Sequence, residues 1–178
     1  MKKMLVIGLA ALLLAALAVS VAAARDNGAL RASATLVDPA GNVLGEAKFT
    51  EDAAGMLHVN VKVKGISPGL HGIHLHAVGS CSPDFAAAGG HHNPLVRQHG
   101  LNNPHGAHGG DLPNLVANDA GNGRLNATSD RATLSAGLTS LFDGDGSSLI
   151  IHAGEDDQLT DPTGNSGGRI ACGVITLN

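Results

Sequence analysis

Apolar and polar residues alternate one for one over three successive stretches of the chain. Leu30, Ala32, Ala34 and Leu36 alternate with Arg31, Ser33 and Thr35. After the turn-forming run Asp38-Pro39-Ala40-Gly41-Asn42, Val43, Gly45, Ala47 and Phe49 alternate with Leu44, Glu46, Lys48 and Thr50. Leu57, Val59, Val61 and Val63 then alternate with His58, Asn60, Lys62 and Lys64. A period of two puts one set of side chains on a buried face and the other in water, so each stretch predicts a strand. Three such strands joined by tight turns predict an antiparallel sandwich or barrel.

Shorter apolar runs predict further strands at Gly72–Val78, Leu112–Asn118, Arg124–Leu134, Ser148–His152 and Ile170–Leu177. The expected architecture is one all-β domain of eight strands with two long loops, Gly79–Gly110 and Ala153–Gly168. In the fourth strand Ile73 and Leu75 hold the inward phase, which turns His74 and His76 to the other face. The first loop contains Pro83, Pro94 and Pro104 and has no periodicity. Loops of that length are usually functional or disordered.

The N-terminus follows a different pattern. Lys2 and Lys3 precede an apolar run from Met4 to Val19, and Val21-Ala22-Ala23-Ala24 offers the small residues a signal peptidase reads. Residues 1–24 are therefore expected to be a signal peptide, cleaved after Ala24, and residues 25–178 the domain. Export to the periplasm, cell envelope or medium follows, with no stable membrane partner after cleavage. An uncleaved membrane anchor is the alternative. No Cys ends the run, which argues against a lipoprotein.

Composition narrows the class. The chain has no Trp or Tyr, 3 Phe and 25 Gly, which suits short strands and many turns. Without Lys2 and Lys3 the 11 basic residues become 9 against 15 acidic ones, a net charge of −6. A chain so charged lacks the basic stripe of a nucleic-acid binder. The two cysteines, Cys81 and Cys172, predict one disulfide in an oxidising compartment. Closing a loop of that span stabilises by about 4–5 kcal/mol in the chain-entropy description.

The chemistry is concentrated between Gly69 and Asp111, which holds eight of the ten histidines. No ordinary core needs imidazoles at that density, and histidine is the commonest metal ligand. His74, His76 and His152 come from strand ends and could surround one ion, where nitrogen-only donors suit copper(II). His99, His108 and Asp111 form a loop-borne set of the kind that holds zinc. His91 lies between the two sets in sequence. A histidine joining two ions through both ring nitrogens must lose both protons, which only two cations could enforce.

Gly69-Leu70-His71-Gly72-Ile73-His74-Leu75-His76, Gly89-Gly90-His91-His92-Asn93-Pro94, Arg97-Gln98-His99-Gly100, His108-Gly109-Gly110-Asp111-Leu112 and Gly164-Asn165-Ser166-Gly167-Gly168-Arg169-Ile170-Ala171-Cys172-Gly173 carry a family resemblance. Across Leu30–Leu177 the chain resembles the copper/zinc superoxide dismutases of the bacterial exported kind. The resemblance implies a Greek-key β-barrel binding copper and zinc, with superoxide as substrate and oxygen and hydrogen peroxide as products. It implies copper ligands His74, His76, His91 and His152, and zinc ligands His91, His99, His108 and Asp111. It further implies that His91 bridges the ions and takes up a proton during turnover, and that Arg169 binds the anion. Asp156 would accept hydrogen bonds from one ligand of each metal, Thr163 would narrow the entrance, and Cys81 would pair with Cys172.

Four histidines carry other expectations. His58 is expected to be solvated, His71 packed and hydrogen-bonded, and His92 stands where many relatives have Phe. His105 competes with His108 for zinc, but only His108 has the H-x-x-D spacing. Glu155 and Asp157 are expected to be solvated loop charges. The resemblance admits a homodimer, but only four residues separate His76 from Cys81, which argues against the eukaryotic contact. The Ala153–Gly168 loop contains no Lys, whereas many relatives place a substrate-guiding lysine there. Two rival classes are a copper carrier without turnover and a zinc hydrolase. The first would not need Arg169, and the second would not need a bridging histidine.

Overall fold

The computed structural model describes residues 29–178, and the expected leader at 1–24 lies outside the described residues. Ten strands follow in order: β1 Leu30–Val37, β2 Val43–Glu51, β3 Leu57–Lys64, β4 Gly69–His71, β5 Ile73–His76, β6 Leu115–Ala117, β7 Asn122–Ser129, β8 Ser148–His152, β9 Arg169–Val174 and β10 Thr176–Leu177. The expected strand at Gly72–Val78 is thus β5 with β4 before it. β4 pairs with β6 and β5 with β8, so the single stretch Gly69–His76 closes the sheet into a barrel. Joining β4 to β5 across Gly72, and β9 to β10 across Ile175, leaves the eight strands the alternation predicts.

The neighbour order β4-β6-β7-β3-β2-β1-β9-β8-β5 is Greek key, because β3 to β4 and β7 to β8 are crossovers rather than hairpins. All pairings are antiparallel. The inward phase is the predicted one: Ala32, Ala34 and Leu36 on β1, Ala47 and Phe49 on β2, and Leu57, Val59 and Val61 on β3 are at most 3% exposed. Ala32 on β1 pairs with Phe49 on β2, which pairs in turn with Val59 on β3, so a small side chain sits beside the large one. Each buried Leu or Phe contributes roughly 1.5–3 kcal/mol.

Glu51 continues the buried phase of β2, which alternation did not foresee. Its carboxylate accepts Leu134 N (2.5 Å), Ser135 N (2.7 Å) and Ser135 Oγ (2.6 Å). Burial raises its pKa, but the hydrogen bonds from Ser135 and Leu134 outweigh that and hold it below the usual value. The acid ties β2 to the loop that leaves β7. The expected strand at Arg124–Leu134 accordingly ends at Ser129, and the one at Leu112–Asn118 shrinks to β6.

All four residues of β5 are buried, although only Ile73 and Leu75 face the barrel interior. The loop 79–110 lies along the outer edge of β5 and covers His74 and His76. Leu75 N donates to Gly110 O (2.9 Å), His92 N to Leu75 O (2.9 Å) and Ala77 N to Gly90 O (2.9 Å). A disulfide between Cys81 and Cys172 fastens this loop to β9.

Candidate metal centre

Backbone pairing to β5 puts the loop histidines where they stand. His76 forms a β-bridge with His91, and His74 forms one with Asp111. His152 ends β8, the other neighbour of β5. A strand with histidines two apart, flanked on one side by His152 and on the other by His91 and Asp111, converges these side chains by register alone.

His74, His76, His91 and His152 form one group, with one ligand atom from each lying within 4.8 Å of the others. In every case the second ring nitrogen is engaged elsewhere. His74 Nε2 donates to Asp156 Oδ2 (2.6 Å), His76 Nδ1 to Gly89 O (2.9 Å) and His152 Nδ1 to Gly167 O (3.0 Å). His91 Nδ1 lies 2.9 Å from Asp111 Oδ1. The remaining nitrogens, His74 Nδ1, His76 Nε2, His91 Nε2 and His152 Nε2, are buried without a hydrogen-bond partner. Four orphaned nitrogens facing one point would be costly in a finished core. Donation from Nδ1 of His76 and His152, and from Nε2 of His74, leaves the inward nitrogen of each as a lone pair. Four nitrogen donors facing one point make a set that suits a copper ion.

A second group meets at Asp111. Its Oδ1 lies 2.9 Å from His91 Nδ1, 3.0 Å from His99 Nδ1 and 3.4 Å from His108 Nδ1, and the Nδ1 atoms of His108 and His91 are 3.2 Å apart. Asp111 Oδ2 accepts His108 N (2.9 Å) and Gly100 N (2.8 Å), which fixes the carboxylate plane. Three imidazoles and one carboxylate make a donor set that fits zinc. His74 also lies near His91, His99 and Asp111, but its Nε2 is held by Asp156 and its Nδ1 faces the first group.

Asp156 joins the two groups. Its Oδ1 accepts His99 Nε2 (2.9 Å) and Gln158 N (2.7 Å), while Oδ2 takes His74 Nε2. Gly164, at φ +60, makes room for it: a Cβ there would lie 1.8 Å from Asp156 Oδ1. Gly72 does the same for the neighbouring chain, since a Cβ would lie 2.6 Å from Ser166 Cβ and 3.2 Å from Asp156 Cβ.

Burial sets the protonation of the first group. Desolvation pushes His74 down to about 3, His76 to about 2 and His152 to about 4, from 6.5. Desolvation also lowers His91. All four are neutral at pH 7 and keep their lone pairs. His99 goes the other way: burial lowers it, but hydrogen bonds to Asp111 and Asp156 win and raise it to about 9. Burial raises Asp111 and Asp156, but their imidazole partners dominate and hold both below the usual carboxylate range.

A cleft of about 580 Å³ opens over the first group, lined by His76, His91, His108, His152, Thr163 and Arg169 among others. Arg169 Nη1 donates to Phe85 O (2.5 Å) and Nη2 to Gly89 O (2.6 Å), which aims the half-buried guanidinium at the cleft. Thr163 is exposed on the rim.

The remaining histidines separate clearly. His58 is exposed and 3.0 Å from Asp52. His71 is buried, with ring nitrogens 2.7 Å from His152 O and 2.9 Å from Ser67 O. His92 is buried against the loop after β7, with Nε2 3.3 Å from Thr139 O. His105 is exposed, whereas His108 is buried at Asp111. Glu155 and Asp157 are exposed, and Asp157 caps a turn by accepting Leu159 N and Thr160 N.

A family profile described as copper/zinc superoxide dismutase matches residues 43–175. The chain belongs to that family. It is 44% identical over 149 residues to Cu-Zn superoxide dismutase 2 of Aquifex aeolicus, covering 82% of this chain and 86% of the relative. It is 39% identical over 175 residues to the Cu-Zn superoxide dismutase of Deinococcus radiodurans, covering 91% and 93%. The crystal structure of a superoxide dismutase-like protein from Bacillus subtilis superposes with a TM-score of 0.76 at 39% identity, covering 80% of this chain and 96% of that one.

Several residues that hold this superoxide dismutase centre in place were not foreseen. Asn114 clasps the main chain of Asp156 from both sides, donating Nδ2 to its carbonyl (2.8 Å) and accepting its N–H (2.9 Å). Arg131 donates to the carbonyls of His108 (3.3 Å) and Asp111 (3.2 Å). Asp161 Oδ1 accepts His99 N (2.6 Å). The carbonyl of Gly89 serves both His76 and Arg169. An Asn three residues after a candidate ligand aspartate was the one readable hint.

Proposed function

We propose that His74 Nδ1, His76 Nε2, His91 Nε2 and His152 Nε2 hold copper. His91 Nδ1, His99, His108 and Asp111 hold zinc, and His91 is shared. The chain is an oxidoreductase that dismutates superoxide to oxygen and hydrogen peroxide, with copper and zinc as cofactors. The observation that carries the site assignment is the set of four orphaned, buried nitrogens. Bound copper supplies the one-electron exchange, oxidising one superoxide to oxygen and reducing a second.

The protein's own residues do the rest. Arg169, fixed by two carbonyls, draws the anion into the cleft and holds it electrostatically. His91 is anchored through Nδ1 among Asp111 and His108, so Nε2, whenever it is not bonded to copper, would be the atom at which a proton is held beside the substrate and given up to it. A second proton from water completes the peroxide, so two superoxides and two protons give one oxygen and one hydrogen peroxide. Asp156 keeps His74 in the tautomer with Nδ1 free and orients His99 in the same act. Thr163 narrows the entrance from the rim.

A copper carrier would have no use for an arginine fixed over the site. A zinc hydrolase would have no use for a histidine shared by two donor sets, as His91 is. We also propose that the chain is exported, a reading supported by the N-terminal pattern and by paired cysteines, which persist in oxidising compartments. Anomalous diffraction at the copper and zinc edges tests the site assignment. Copper bonded to the four orphaned nitrogens and zinc beside Asp111 is the expected result, and copper elsewhere rejects it.

A further inference from the structure

The electrostatics of the cleft depend on very few residues. Among its lining residues only Arg97, Asp161 and Arg169 carry formal charge when the histidines are neutral. The cleft is therefore a local patch of +1 in a chain whose predicted mature form carries −6. Asp161 is half-exposed at the cleft, where its Oδ1 accepts His99 N (2.6 Å) and lies 3.6 Å from His108 Nε2. Of the loop acids, Asp157 is spent on its turn and neither it nor Glu155 lines the cleft. Removing one arginine would leave the entrance with no net attraction for an anion.

Arg169 has its partners in the carbonyls of Phe85 and Gly89, deep in the cleft. Arg97 differs. Its backbone is clasped by Asn93, which accepts Arg97 N (2.9 Å) and donates to Arg97 O (2.9 Å), so the residue is fixed in place. Its guanidinium is exposed and has no hydrogen-bond or ion-pair partner among the described residues. The other described cations are elsewhere: Arg31, Lys48, Lys62, Lys64 and Arg124 on β1, β2, β3 and β7, and Arg131 against the carbonyls of His108 and Asp111. None of them lines the cleft.

We propose that Arg97 is the outer guide for superoxide, an exposed positive charge on a turn clasped by Asn93 that passes the anion inward to Arg169. The Ala153–Gly168 loop contains no lysine and supplies no cation of its own to the cleft. This rests on the superoxide dismutase reading and adds to it a residue that sets substrate capture without touching a metal ligand.

The test compares wild type, Arg97→Gln and Arg97→Lys, all loaded with copper and zinc. Superoxide decay is followed from low to high ionic strength, and azide binding is titrated by the visible copper spectrum. A unit charge on the rim of a solvent-filled cleft should change the low-salt rate by about two- to threefold. Arg97→Gln should show that loss and converge on wild type as salt rises, because screening removes what the charge supplied. Azide should bind it about twofold more weakly at low salt, and Arg97→Lys should restore both properties. Equal low-salt rates for wild type and Arg97→Gln would overturn the proposal. So would a deficit that persists at high salt, or a loss of zinc from Arg97→Gln. A wild type that leaves superoxide untouched would instead fault the dismutase reading, while the azide titration would still judge Arg97.

Discussion

Replacing Asp156 by Asn separates the two metals in a way that deletion cannot. The carboxylate now accepts from His74 Nε2 at one oxygen and from His99 Nε2 and Gln158 N at the other. An amide has only one acceptor oxygen. Two partners favour keeping it toward His99 and Gln158, which turns the NH₂ group onto His74 Nε2. Two donors would then face each other at the 2.6 Å contact. His74 escapes only by moving its proton to Nδ1, the atom that must supply a lone pair to copper. Restoring that lone pair leaves a buried donor unsatisfied, at about 2–3 kcal/mol, or roughly 30- to 150-fold in copper affinity. Zinc keeps its His99 orientation and should weaken by less than about tenfold. Competition with chelators of known affinity reads both constants on one preparation. Unchanged copper affinity, or a zinc loss larger than the copper loss, would refute the argument that Asp156 sets the tautomer of His74.

Other consequences follow from the same geometry. His152→Ala should abolish dismutation and lower bound copper to well below one per chain while circular dichroism still reports a folded barrel. The metal-free protein should be most stable near pH 6.5. Folding depresses His74, His76 and His152, so their contribution is present above 6.5 and is lost as pH falls toward 4, by about 4 kcal/mol per pH unit for three protons. His99 is raised to about 9, so its contribution is present below 6.5 and lost more gently as pH rises through 9, and urea melts that are flat from pH 5 to 7 would contradict this. Cys172→Ser should lower the melting temperature of the loaded protein and weaken azide binding, because the loop it fastens carries the Phe85 and Gly89 carbonyls that hold Arg169. An unchanged melting temperature would remove the disulfide from that role.

The strands β1 to β3 were legible because a strand buried on one face must alternate, and theirs alternate with few exceptions. The split at Gly72 was not legible, since nothing in Gly69–His76 says that one half pairs with β6 and the other with β8. The histidines stood out by density, and the H-x-x-D spacing singled out His108 over His105. That spacing allows the turn in which His108 N reaches Asp111 Oδ2. Asn114, Arg131, Asp161 and the Gly89 carbonyl escaped notice for a shared reason. Each acts on or through main-chain atoms, and a main-chain contact leaves no mark on residue type or period. Glu51 hid differently, as a charged residue at an inward position whose partners lie more than eighty residues away.

The central claim is that four converging imidazoles hold a redox-active copper and that zinc alone cannot do the chemistry. Superoxide decay measured with equal concentrations of the copper- and zinc-loaded protein and the zinc-only protein tests it most directly. The copper- and zinc-loaded form should consume many equivalents of superoxide per chain and release oxygen and hydrogen peroxide in equal amounts, while the zinc-only form leaves the uncatalysed decay unchanged. Equal rates for the two forms, or a stoichiometrically copper-loaded protein that stops after a single turnover, would contradict it.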